Sequence, residues 1–291
     1  MMYRIHHATV YTYDEAVSVA HNLAHLLPRS APRHVWLTSD LTIAPVPNKR
    51  TDRTDFFGNR ITFFAIEEPH RSLHVTTTGT VELLPPEPLL LKPQTPWERV
   101  RDALKSDRRG ETLYAYQYVF DSPFVKRHAD LAAYAAPSFP PGRPLLEAVL
   151  DLTARIHKEY VYDPTATTVA TPVMEVLEKR RGVCQDFAHL QIACLRSLGL
   201  AARYVSGYLV TTPPPGRPRL VGSDASHAWL SVYFPDMGWI DVDPTNNVMP
   251  SDRHITLAWG RDFHDVSPLS GVILGGGHHQ VDVQVDVSAL I

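Results

Sequence analysis

RGVCQDFAHLQIACLRSLGL, residues 181–200, reads as a tight turn feeding an amphipathic helix. Gly182 stands where a chain needs either a positive φ or a close backbone approach. Phe187, Leu190, Cys194 and Leu198 recur at i, i+3, i+7 and i+11, one apolar stripe of an α-helix. Gly199 follows at the position where helices commonly stop. Cys184 falls in the first helical turn, where unpaired N–H groups and the helix dipole favour an anion and push a thiol toward thiolate. If the chain is an enzyme, Cys184 is its expected nucleophile; a buried structural cysteine is the competing reading for that residue alone. Cys194, on the apolar stripe, is expected in the core.

Downstream of this helix the pattern turns to strands. Ala201–Val210 and Ser226–Phe234 carry β-formers, with the loop Pro213–Gly216 between them. Pro235–Gly238 then turns the chain into a strand from Trp239 to Val242, ending at Asp243. In such a hairpin the ends remote from the turn lie side by side, so His227 and Asp243 are placed to meet. A thiol needs a base matched to neutral pH, and the base needs a third group to orient it. Asp241 shares the strand parity of Asp243, so parity cannot separate the two. Asp224, Ala225 and Ser226 are expected to shape the approach to His227. One turn beyond Cys184, Ala188 rather than His189 shares its face, which leaves His189 a poor second base.

Upstream, Tyr3 to Leu84 is rich in short β patterns, and Pro85-Pro86-Glu87-Pro88 reads as a linker. The expected organisation is a β-sandwich-like domain over residues 1–90 and a second domain over 91–291. Leu145–Tyr160 is a predicted helix with Leu146, Val149, Leu150, Thr153 and Ile156 on one face. Thr171 is predicted to cap another helix, with Pro172 at its first position. Val281–Val287 alternates strictly and closes the second domain as a strand. Strands first, then helices, then strands again give an α+β class.

With 28 Lys and Arg against 31 Asp and Glu, the net charge of -3 argues against a nucleic-acid surface. Polar residues break every apolar run short of the ~18 residues of a membrane span, and the N-terminus has no apolar signal region. The only cysteines, Cys184 and Cys194, would lie about 15 Å apart on one helix, too far for a disulfide. A reducing, cytoplasmic setting is the expectation. Histidines 6, 7, 21, 25, 34, 70 and 74 share no metal-ligand spacing, so no metal and no cofactor is expected.

RGVCQDFAHLQIACLRSLGLAARYVSGYL, followed by DASHAWLSVYFPDMGWIDVDPTNN, closely resembles the transglutaminase-like superfamily. The matching positions are Cys184 at a helix start, His227 before Ala228 and Trp229, and Asp243 in Trp239-Ile240-Asp241-Val242-Asp243-Pro244-Thr245. The N-terminal β region and the tail from Asp252 also resemble bacterial members. The resemblance implies a papain-like α+β core in which Cys184 attacks a peptide or carboxamide carbonyl, His227 carries the proton and Asp243 orients His227. It selects Asp243 over Asp241. It implies an oxyanion donor at the Cys184 N–H, with Tyr160, Tyr162 or Gln185 as candidates for a second, and Trp229 as a cleft residue. The implied partner is a peptide or protein substrate, with an amine as acceptor in the cross-linking branch of the superfamily. A hydrolase of peptide or amide bonds leads; a protein-glutamine transglutaminase and a non-catalytic binding module on the same fold are the alternatives. Arg261, Asp262 and Asp265 in the tail form either one cleft wall or a structural salt link.

Overall fold

The computed structural model describes residues 1–85, 94–210 and 226–290. Along the chain run β1 (Met2–Ala24), β2 (His34–Ala44), β3 (Lys49–Thr54), β4 (Arg60–Ile66) and β5 (His70–Leu83), then α1 (Trp97–Ser106), α2 (Gly110–Tyr116), α3 (Ala129–Ala135) and α4 (Leu145–Glu159). There follow β6 (Val161–Tyr162), α5 (Val173–Lys179), β7 (Arg181–Gly182) and α6 (Cys184–Ser197). The last elements are β8 (Ala202–Leu209), β9 (Ser226–Phe234), β10 (Gly238–Val242), β11 (His254–Gly260), β12 (Leu269–Gly275) and β13 (His279–Leu290). The class is α+β, as expected. Pro86–Pro88, Pro213–Gly216, Asp224 and Ala225 lie outside the described residues.

The N-terminal β region is organised on β1. Its first half, Met2–Thr12, lies between β5 and β13; its second half pairs with β4 and β12. Register shifts around Val17 separate the halves, the kind of irregularity that lets one strand serve two leaves of sheet. Between them Ile5, Val17, Phe64, Leu73, Val75 and Val287 are buried in one apolar cluster.

The strand pattern at 281–287 is found, but its partner is not in the second domain. β13 pairs antiparallel with β1 from Met2↔Leu290 to Tyr13↔His279, and β12 pairs with the second half of β1. The chain therefore leaves the core and returns to complete the first sheet. An alternating pattern fixes which side chains share a face, not which distant edge the strand joins. Only half of the valine row is covered: Val285 and Val287 are 2% and 0% exposed, Val281 and Val283 47% and 49%.

The second core wraps an antiparallel sheet, β10-β9-β8-β11, and six helices. The α6 helix is buried on all sides from Asp186 to Arg196, not on one stripe. Its polar residues are bonded within the core: Gln191 Nε2 donates to Thr153 Oγ1 at 2.7 Å, although its Oε1 is without a partner among the described residues, and Arg196 Nη2 donates to Ala202 O at 2.9 Å. Alternation gives the sheet two different faces. Ala202, Tyr204, Leu230 and Val232 join the cluster around α6. Tyr208, Ile255 and Leu257 join the N-terminal cluster, so the two cores share this sheet. The α5 helix begins at Val173 with Pro172 as its cap, one residue later than the sequence pattern suggests. No helix among the described residues is long and apolar enough to cross a membrane.

The return of the C-terminal strand is testable by one contrast. Val287→Asp buries an unpaired charge and should cost more than about 3 kcal/mol in urea unfolding. Val283→Asp, on the same row but open to water, should stay within about 0.5 kcal/mol. Equal effects would show that β13 does not pack as described.

Candidate active site

The turn before α6 is built around one carboxylate. Asp186, in the helix's first turn, accepts the Val183 N–H at 2.8 Å and the Thr167 hydroxyl at 2.6 Å. A Cβ on residue 182 would lie 2.6 Å from Asp186 Oδ2, so the close approach, not a positive φ, requires Gly182. Burial raises the Asp186 pKa against these two hydrogen bonds. Cys184 is thereby held as the first residue of the helix, half-buried, where backbone N–H groups have no partner one turn back.

The β9–β10 hairpin supplies the groups facing it. Asp241 lies opposite Ser231 in the ladder, and its carboxylate takes the Trp229 indole N–H at 3.0 Å and the Ser231 hydroxyl. Asp243, just past the end of β10, is fully buried and turns back on a bridge to Val248. Its Oδ1 accepts the Thr245 and Asn246 N–H groups at 2.9 and 3.2 Å. Its Oδ2 meets His227 Nε2 at 2.8 Å, His254 Nε2 at 2.9 Å and the Asn246 side-chain amide at 2.7 Å. Two residues of the same parity thus have different fates, because Asp241 is still inside the ladder and Asp243 is at its open end.

Burial disfavours charge on both partners of the His227–Asp243 pair, and the hydrogen bonds overcome it. The Asp243 carboxyl is held well below the usual carboxylate range by His227, His254 and Asn246. Burial pulls the His227 pKa down, but Asp243 and the Cys184 sulfur together push it up to about 10. With Nε2 on Asp243, Nδ1 is the ring nitrogen left for the thiol.

Of the other candidates, only Tyr162 is brought to the thiol. It is exposed, lies beside Gly182 in the short parallel pair β6–β7, and burial together with the Cys184 charge raises its pKa. Tyr160 points the other way: it is 5% exposed and packs edge-on against Phe187 inside the core, so it cannot serve as an oxyanion donor. The Gln185 amide donates to Val169 O at 3.1 Å. Trp229 is wholly buried behind His227, with its N–H given to Asp241, and forms a support rather than a cleft wall. His189 is buried, its Nε2 accepts the Phe263 N–H at 3.1 Å, and burial drives its pKa down to about 4. Cys194 is fully buried and its thiol pKa is pushed up. In the tail, Arg261 holds Asp265 through three hydrogen bonds, one from its backbone N–H at 2.8 Å and two from its guanidinium at 2.8 and 2.9 Å, and Asp262 caps the following turn. That tail motif is structural.

The sequence reading missed His254 and Asn246, both on the Asp243 carboxylate. His254 lies in the tail that resembles bacterial members, but the β8–β11 pairing is what carries it to the site. His227, Asp243 and His254 also converge as a metal site would. Their contacts of 2.8 and 2.9 Å onto one oxygen are hydrogen-bond lengths, shorter than the roughly 3.3 Å between ligand atoms around a tetrahedral zinc. The three groups fit a hydrogen-bonded array.

Comparison with known proteins places the chain in a family. Residues 3–82 match the bacterial transglutaminase-like N-terminal region, and residues 133–244, which hold Cys184, His227 and Asp243, match the transglutaminase-like superfamily. An uncharacterised protein of Mycobacterium tuberculosis is 42% identical over 98% of this chain and 92% of its own length. The chain belongs to the transglutaminase-like superfamily. A Mycobacterium leprae relative is 34% identical over 99% of this chain and 98% of its own. A crystal structure described as "a Putative Cysteine Protease from Cytophaga hutchinsonii" shares the fold across 100% of this chain and 91% of its own, with a TM-score of 0.78 at 22% identity. A protein-glutamine gamma-glutamyltransferase of Pseudomonas aeruginosa is 32% identical over 107 residues, which are 34% of this chain and 16% of that protein.

The raised His227 pKa sets a pH signature. Its folded value lies above the value of about 6.5 in an unfolded chain, so the pair stabilises the fold fully below 6.5 and loses that contribution as pH rises toward about 10. In the wild-type protein the His227 ring resonances should titrate near 10. In Asp243→Asn, where only the Cys184 sulfur still opposes burial, the midpoint should fall well below the wild-type value. An unchanged midpoint would remove Asp243 as the cause.

Proposed function

We propose that this transglutaminase-like chain is a cysteine-dependent acyl-transfer enzyme that acts on peptide or carboxamide bonds through a thioester. The observation that carries the reading is His227 held between the buried Asp243 carboxylate and the Cys184 sulfur. In the first half-reaction the Cys184 sulfur bonds to the substrate carbonyl carbon, and His227 Nδ1 gives its proton to the departing nitrogen as the C–N bond breaks. The carbonyl oxygen, negative in the intermediate, is met by the Cys184 N–H at the helix start and by the Tyr162 hydroxyl. In the second half-reaction water gives a proton to His227 and attacks the thioester. The acid leaves and the thiolate is restored. Asp243 keeps its charge throughout and steadies the imidazolium.

A second reading, transfer to an amine, has the Pseudomonas relative in its favour. The two share every step to the thioester and differ only in what resolves it.

The test is mass spectrometry of peptide and protein substrates incubated with the enzyme, with and without a primary amine. Chain cleavage or deamidation that ignores the amine supports hydrolysis; amine incorporation supports the second reading. Cys184→Ala should abolish either product. Asp243→Asn should lower kcat by about 10⁴-fold with the fold intact, and Asp241→Asn far less. Product formation by Cys184→Ala at the wild-type rate would exclude the thiol mechanism.

A further inference from the structure

On the sheet face turned away from α6 lies a cavity of about 750 Å³, roofed by Ala31–His34 of the N-terminal region. Cys184, His227 and Asp243 do not line it. Its volume is in the range of small-molecule sites, about 300–1,000 Å³.

The informative side chain in its wall is Arg203. It is 6% exposed, with its guanidinium stacked between Trp239 at 4.2 Å and Trp259 at 3.8 Å. Among the described residues it makes no hydrogen bond and no ion pair, and its Nε is buried without a partner. The carboxylate whose field reaches it most strongly, Asp241, is engaged by Trp229 and Ser231. Arg196 gives the contrast: it is buried as deeply, and its guanidinium donates to Ala202 O, Arg261 O and the Ser122 hydroxyl at 2.9, 2.6 and 3.0 Å. Burial lowers the Arg203 pKa only to about 10, so the group is a cation at neutral pH. A buried, unpaired cation is costly to the fold unless something completes it. One further donor on the same cavity, Trp259 Nε1, is also unpartnered among the described residues.

We propose that this cavity is a second binding site, for a small monocarboxylate with a flat apolar body, whose carboxylate pairs with Arg203. The planar guanidinium fork matches a carboxylate in two parallel hydrogen bonds. Trp239 in the lining offers apolar surface to the rest of the ligand, while the two faces of Trp259 are taken by Arg203 and Arg29. Glu111, Asp236 and Asp241 also line the cavity, beside a second cation, Arg33; the carboxylates oppose any anion, and polyanions such as nucleotide phosphates most.

Phenylacetate is a suitable probe, titrated calorimetrically into the full-length protein, with phenylacetamide and inorganic phosphate as controls. Wild type and Cys184→Ala should bind phenylacetate alike and saturably. Phenylacetamide and phosphate should bind at least about tenfold more weakly, as should Arg203→Met toward phenylacetate. Equal affinity for the amide, undiminished binding by Arg203→Met, loss of binding in Cys184→Ala, or no saturation below about 10 mM would overturn the proposal. Should Arg203→Met fail to fold, the Trp259 indole N–H resonance of the wild-type protein decides. It must move with phenylacetate and stay in place with the amide.

Discussion

One carboxylate oxygen, Asp243 Oδ2, fixes the candidate site. It gathers His227, His254 and Asn246 within 2.9 Å in a place that water does not reach. A buried charge is tolerable only when such donors surround it, and here they arrive from the start of β9, the start of β11 and the turn after β10. The array therefore needs the sheet register to be right in three strands at once. The oxygen hydrogen-bonds His227, whose ring in turn meets the sulfur at the start of α6. Removing the carboxylate would leave the imidazole buried without its counter-charge, so the site's chemistry and its local stability rest on the same contact.

The scaffold explains why that register is stable. The sheet of β8–β11 is shared by two apolar clusters, one around α6 and one belonging to the N-terminal strands. The N-terminal region is in turn completed by β12 and β13 from the far end of the chain. Neither part is an independent bead. The cavity walled by Arg203 sits where the two meet, and His254 lies in its lining as well as on Asp243. An occupant of the cavity would touch a residue that holds the candidate catalytic carboxylate.

Much of the site was readable in the sequence because its three central groups stand at local landmarks. Cys184 follows a glycine at a helix start, and the Pro235–Gly238 turn brings the ends carrying His227 and Asp243 together. Strand parity left Asp241 equal to Asp243, and the decision came from where the ladder stops, a tertiary fact. The tail motif around His254 did not disclose its role, since that role depends on β11 pairing with β8 across a long connection. For the same reason the strand at 281–287 was recognisable while its partner β1 was not. Periodicity also described α6 as amphipathic; its polar residues are buried and bonded within the core, which no pattern of polar and apolar letters conveys. Tyr160 and Tyr162 are two residues apart and end on opposite sides of the helix start, one in the core and one at the thiol.

Site-resolved alkylation tests whether His227 acts on the Cys184 sulfur. The rates of iodoacetamide labelling at Cys184 and Cys194, read by peptide mass spectrometry at neutral pH, should differ strongly in favour of Cys184 in the wild-type protein. In His227→Ala, folded by circular dichroism, the Cys184 rate should fall by about tenfold or more, although the thiol becomes no less exposed. A Cys184 rate unchanged by the loss of His227 would contradict the pairing on which the account depends.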